Sequence, residues 1–105
     1  MKKLVRKRTA EEQALFEQIE LALIDTRAAR LRFQKAEEEF YAGTKPRFHV
    51  NPTGAGGAFI REHPPIGVVQ PLAYALLDAR DELDRALLHH ATLKDVYARK
   101  REGGA

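Results

Sequence analysis

Residues 9–42 read TAEEQALFEQIELALIDTRAARLRFQKAEEEFYA, a run without Pro or Gly in which Ala, Leu, Glu, Arg and Gln predominate, all strong helix formers. Within it Leu15, Ile19, Ala22, Thr26, Ala29, Phe33, Ala36 and Phe40 follow one another in alternating steps of four and three. This is heptad spacing, and it lays one apolar seam along a helix for nearly four heptads. Thr9 and Glu12 fit the two ends of a capping box. Glu11 and Glu12 also place negative charge at the positive end of the helix dipole, and Gly43 suits the C′ position. The pattern predicts a helix over 9–42. Leu21, Leu23, Ile24 and Leu31 fall off the seam, so the apolar stripe is broader than a single partner helix requires.

The same alternation returns in Leu72, Leu76, Ala79, Leu83, Ala86, His90, Leu93 and Tyr97, predicting a second helix over 70–101. Pro71 suits its first position, where a missing N–H is no loss. A start as early as Pro65 is the alternative, with Gly67 and Pro71 then marking a kink. Two such helices make an antiparallel hairpin the simplest fold, so the chain reads as mainly all-α. The connector, 43–69, holds two runs of β-favouring residues, Arg47-Phe48-His49-Val50 and Ala58-Phe59-Ile60-Arg61, around the turn-rich stretch 51–57. It reads either as a β-hairpin with a mobile tip or as an irregular loop docked by Phe48 and Phe59.

At 105 residues the chain is one domain, with basic tails at 1–8 and, after the helical part 9–101, a short C-terminal tail at 102–105. Lys2, Lys3, Arg6, Lys7 and Arg8 stand without an acid among them, and Arg99, Lys100 and Arg101 face only Glu102. The intervening residues 9–98 carry 10 basic and 14 acidic side chains, so the net charge of +3 conceals a body of −4. Clustered cations of this kind suit a polyanion, whose phosphates they neutralise with release of counterions. Arg27, Arg30, Arg32 and Lys35 form a second basic cluster on the first helix, with Arg27, Arg30 and roughly Lys35 on the side away from the seam.

Several function classes drop out. There is no Cys and no Ser, which removes thiolate metal sites, disulfides and Ser or Cys nucleophiles. His49, His63, His89 and His90 lack the helical i, i+3 or i, i+4 partners that a metal site requires. Gly54-Ala55-Gly56-Gly57 has no following Lys-Ser/Thr pair and no helix directly behind it, so it reads as a flexible turn and not a phosphate cradle. The carboxylates Glu37–Glu39 and Asp78–Asp84 read as solvated faces. The expectation is a protein with no catalytic residues, no metal and no cofactor. Its apolar runs are too short to cross a bilayer, and its basic start has no apolar segment after it. An intracellular, cytoplasmic protein without a membrane partner is therefore expected.

A two-helix hairpin leaves the far side of each helix open, and Leu21, Leu23, Leu77, Leu87 and Leu88 need cover. A homo-oligomer is expected, with Leu15, Ile19, Phe33, Phe40, Leu72, Leu76, Leu83 and Leu87 forming the seam against another helix. The expected nucleic-acid contacts are Lys2, Lys3, Arg6, Lys7, Arg8, Arg27, Arg30, Arg99, Lys100 and Arg101.

Over roughly residues 15–100 the chain resembles the small terminase subunits of tailed phages, of the short helical type. The likeness lies in a long helix ending Phe33-Gln34-Lys35-Ala36-Glu37-Glu38-Glu39-Phe40, a Gly-containing hairpin leading to Glu62-His63-Pro64-Pro65-Ile66, and a second helix. That helix carries Asp81-Glu82-Leu83-Asp84-Arg85-Ala86-Leu87-Leu88 and closes at Ala91-Thr92-Leu93-Lys94-Asp95-Val96. The resemblance implies a ring-forming DNA-packaging component that binds double-stranded viral DNA in the host cytoplasm. It would present that DNA to a large ATPase–nuclease subunit. With no helix-turn-helix upstream, DNA contact would fall to the basic tails and exposed arginines. The alternative is a coiled-coil adaptor that binds another helical protein and no nucleic acid.

Overall fold

The computed structural model describes residues 7–50 and 59–103. The protein is mainly α-helical, with two long helices and a small antiparallel two-strand hairpin between them. In chain order these are α1 (Ala10–Thr44), β1 (Arg47–Val50), β2 (Phe59–Glu62) and α2 (Ile66–Gly103). The chain divides into two compact units, one pairing the residues up to Arg30 with those from Glu82 onward, the other formed by Leu31–Asp81.

In the first unit α1 opens on the expected capping box. The Thr9 amide donates to Glu12 Oε1 at 3.2 Å and the Glu12 amide donates to Thr9 Oγ1 at 3.1 Å. The Gln13 amide then closes the first turn on the Thr9 carbonyl at 2.9 Å. α1 and α2 run antiparallel here, as Glu12 with Arg101 and Phe16 with Tyr97 show. The seam is the one the heptads predict. Ala22 and Ala29 are buried, 3% and 1% exposed, and Leu15, Ile19, Leu83, Ala86, His90, Leu93 and Tyr97 are half-buried. Small residues at its centre let the helices approach closely. Buried Thr26 donates to its own helix at the Ala22 carbonyl, 2.8 Å, and stands 3.4 Å from the Ala86 carbonyl of α2. A satisfied polar group inside a heptad seam favours one register over its neighbours.

In the second unit Phe33, Ala36, Phe40, Leu72, Leu76 and Ala79 continue the heptads, all half-buried. Three boundaries depart from expectation. α1 runs on to Thr44, whose hydroxyl donates to the Phe40 carbonyl at 2.7 Å. Gly43 is therefore inside the helix and not a C′ residue. Its glycine answers to space, because a Cβ there would collide with Leu72 Cδ1. α2 starts at Ile66, four residues before 70, since the Pro65 carbonyl accepts the Val68 and Val69 amides at 2.9 and 3.2 Å. Pro71 consequently lies inside the helix instead of at its first position. There it removes the amide that would reach the Gly67 carbonyl. At its other end α2 extends to Gly103, past Arg101.

The connector contains the hairpin, with β2 over Phe59–Glu62; Ala58 lies outside the described residues. The strand register sets Arg47 opposite Glu62 and Phe48 opposite Arg61. The Arg61 guanidinium lies 5.9 Å from the Phe48 ring centre, a cross-strand cation–π pair. The tip, with Gly54–Gly57 and the mobile-turn expectation, lies outside the described residues.

Candidate functional site

Arg8 just before α1 and Lys100 and Arg101 at the end of α2 come together in the first unit. Arg8 lies over Phe16, its guanidinium carbon 3.7 Å from the ring centre, and donates to the Tyr97 hydroxyl at 2.9 Å and to Gln13 Oε1 at 3.4 Å. Phe16 and Tyr97 are themselves tilted neighbours with ring centres 6.2 Å apart. Lys100 pairs with Glu11. The hydrogen bond from Lys100, and then its charge, hold the Glu11 carboxyl below the usual carboxylate range. Arg101 donates to Glu12 at 3.1 Å. Glu12 is 2% exposed, so the same carboxylate caps α1 and neutralises the end of α2. Arg99 pairs with Asp95 one turn back, at 3.2 Å on an open surface.

The ten expected nucleic-acid contacts thus fall into three groups. Lys2, Lys3 and Arg6 lie outside the described residues. Lys7, Arg27 and Arg30 are exposed. Arg8, Arg99, Lys100 and Arg101 are engaged within the chain, so part of their charge stabilises the hairpin. Reading Arg99–Arg101 as cations open to a polyanion missed this, although an antiparallel pairing along the two seams already sets residues 11–12 beside residues 100–101.

The residues expected to form the association seam are partly covered within the chain. Leu15, Ile19, Phe33, Phe40, Leu72, Leu76 and Leu83 are half-buried in packing within their own units, and Leu87 is 39% exposed. The exposed large apolar side chains include Leu21, Leu77, Leu87 and Leu88, four of the five expected to need cover. In the first unit they include Leu21 and Ile24 on α1 and Leu87 and Leu88 on α2, with Leu21 62% and Leu88 68% exposed. In the second unit they include Leu31, Tyr74 and Leu77. Leu23 is half-buried.

Two concavities accompany these surfaces. A shallow apolar groove in the first unit runs between Phe16, Ile19 and Tyr97, bordered by His90 and Lys94. A more enclosed cavity of about 420 Å³ in the second unit lies at the base of the hairpin, with Lys45, Arg47, Glu62, His63 and Val68 among its walls. Among the described residues no three His, Asp or Glu side chains gather where a metal ion fits. Among them, too, no helix is long and apolar enough to cross a membrane. No protein-family model matches the chain, and neither a curated protein nor a solved structure matches it.

Proposed function

We propose that this protein is a non-catalytic, self-assembling subunit that binds double-stranded DNA, acting in phage DNA packaging as the terminase resemblance implies. The observation that carries the assembly part is the imbalance between core and surface. Among the described residues the buried apolar ones are two alanines, and no large side chain is fully buried. Meanwhile Leu21, Ile24, Leu31, Leu77 and Leu88 face solvent. Each such leucine is worth roughly 2 kcal/mol on full burial, so association of neighbouring chains over these faces is strongly favoured. Exposed Lys7, Arg27 and Arg30 supply cations for DNA phosphates, together with Lys2, Lys3 and Arg6.

The test is absolute mass by light scattering, followed by duplex affinity across a salt series. A closed assembly of many subunits, binding duplex with affinity that falls steeply with salt, is expected. A monomer at every salt, or affinity unchanged on deleting residues 1–8, overturns the reading. The engagement of Arg8, Lys100 and Arg101 within the chain favours a second reading, an adaptor whose open leucines receive another protein's helix. In that case Leu88→Glu abolishes a protein complex while duplex affinity is negligible at physiological salt.

A further inference from the structure

α1 carries a second line of heptad steps on the side turned away from α2. Glu17, Leu21, Ile24 and Ala28 follow one another by four, three and four, which keeps them on one stripe of the helix. All four belong to the first unit. Ala22, Thr26 and Ala29 of the same turns are buried in the seam, whereas Leu21 and Ile24 are 62% and 59% exposed. The charges that border this stripe are arranged with a direction. Glu20 and Arg27 lie along one flank and Asp25 along the other, all exposed. Glu20 and Arg27 stand seven residues apart and so are not neighbours on the helix surface. Among the described residues neither is engaged by any other group. Glu11, Glu12, Lys100 and Arg101 in the same unit are all paired.

We infer that this stripe is a two-fold contact with a second copy of the chain, the two α1 helices antiparallel with Leu21 of each set against Ile24 of the other. The flanking charges select this occupant and this register. A two-fold axis between antiparallel helices keeps each flank on its own side, so a flank has to complement itself read backwards. With Leu21 against Ile24, Glu20 of each copy comes beside Arg27 of the other, and the pair forms twice. Sliding the helices by one heptad brings Arg27 against the other copy's Arg27 in one direction, and Glu20 against Glu20 in the other. A parallel pair brings opposite flanks together and sets Glu20 beside Asp25, again like against like. The inference rests on the self-assembly reading above, to which it gives a face, an orientation and a register. It does not depend on DNA binding.

The chain has no cysteine, so introduced thiols report on this contact alone. Leu21→Cys and Ile24→Cys proteins, each a full chain, are oxidised mildly, separately and as a mixture. A covalent pair is expected in the mixture and in neither protein alone, because equivalent positions of an antiparallel pair stand too far apart for a disulfide. Leu21→Cys coupling readily to itself signals a parallel contact and overturns the inference. Charge variants cover the case in which a thiol weakens the contact it reports. Both positions are exposed and both new residues suit a helix, so the fold is retained. Glu20→Arg or Arg27→Glu alone is expected to raise the dissociation concentration, read by light scattering on dilution, about tenfold. Mixing the two single variants, or combining both changes in one chain, is expected to restore the parent's value. Failure of that restoration overturns the register. A parent chain that is monomeric at every concentration overturns both this contact and the self-assembly reading. A many-subunit parent whose mixture does not couple, and whose mass ignores the charge variants, removes this contact alone. A parent that couples as expected and stops at a dimer upholds the contact and removes the larger closed assembly.

Discussion

The two units use one heptad alphabet to different ends. The first places Ala22, Thr26 and Ala29 at the centre of its seam, buries them, and closes its open end with Glu12 held between a cap and Arg101. The second carries Phe33, Phe40, Leu72 and Leu76, larger side chains that are all only half-buried, and it surrounds a cavity. Small residues coincide with full burial at Ala22, Thr26 and Ala29, whereas Ala36 and Ala79 of the second unit stay half-buried. Two helices in contact exclude water well only where their backbones come close, and bulk at the seam holds them apart. The first unit reads as the clamp of the fold, and the second as the part that encloses a cavity.

Core enlargement should expose this difference most strongly. Ala29→Leu puts a branched side chain where 1% of the residue meets solvent and is expected to cost about 3 kcal/mol, the high end for overpacking. Ala36→Leu, at the equivalent seam position of the second unit and half-buried, is expected to cost less than about 1 kcal/mol. Chemical denaturation of the two variants measures both. Equal costs would mean that the units are packed alike.

The clamp itself comes next. Glu12→Ala removes the reciprocal cap and leaves Arg101 without this carboxylate, for an expected loss of about 2 kcal/mol. Thr9→Ala removes only the hydroxyl half of the cap and is expected to cost about 1 kcal/mol. If the two variants melt together, the Arg101 contact contributes nothing to stability.

Gly43 sharpens the comparison from the other side. Replacing a helical Gly by Ala ordinarily stabilises by about 1 kcal/mol, but here the new methyl meets Leu72 Cδ1. Gly43→Ala is expected to bring no gain in the parent chain and the full gain of about 1 kcal/mol in a Leu72→Ala background. Additive effects in that double-mutant cycle would show that Leu72 swings aside at no cost and that the second unit is looser than described.

Much of this architecture was legible because it is periodic. The seam from Leu15 to Phe40 and from Leu72 to Tyr97 follows from spacing alone, and the Thr9–Glu12 cap follows from residue types at fixed offsets. What spacing does not carry is contact between distant segments. Gly43 has the same one-letter appearance whether it ends a helix or makes room for Leu72. Residue types left the start of α2 open between Pro71 and Pro65, and the start at Ile66 is decided by bonds to the Pro65 carbonyl. The cations of the candidate site were visible as charge. Their division into engaged Arg8, Lys100 and Arg101 and exposed Lys7, Arg27 and Arg30 requires the antiparallel pairing of the helices. The cavity was not legible at all, since Lys45, Arg47 and His63 come together only when the hairpin forms.

The smallest expected effect lies at the exposed edge of the clamp. Glu11 is fully open to solvent, and Lys100 lowers its carboxyl below the usual range through a hydrogen bond first and charge second. A carboxylate depressed in the folded chain contributes stability above its unfolded value, and that contribution is lost as pH falls through the lower, folded value. Lys100→Met is therefore expected to melt slightly below the parent at neutral pH and level with it once Glu11 is protonated in both states. Added salt should shrink the neutral-pH difference, because an exposed pair is screened. The buried pair of Glu12 with Arg101 should respond to the same salt far less. A pair at Glu11 as salt-resistant as the pair at Glu12 would mean that the end of the first unit is shielded from solvent as a whole, as association of a second chain over this end would bring about.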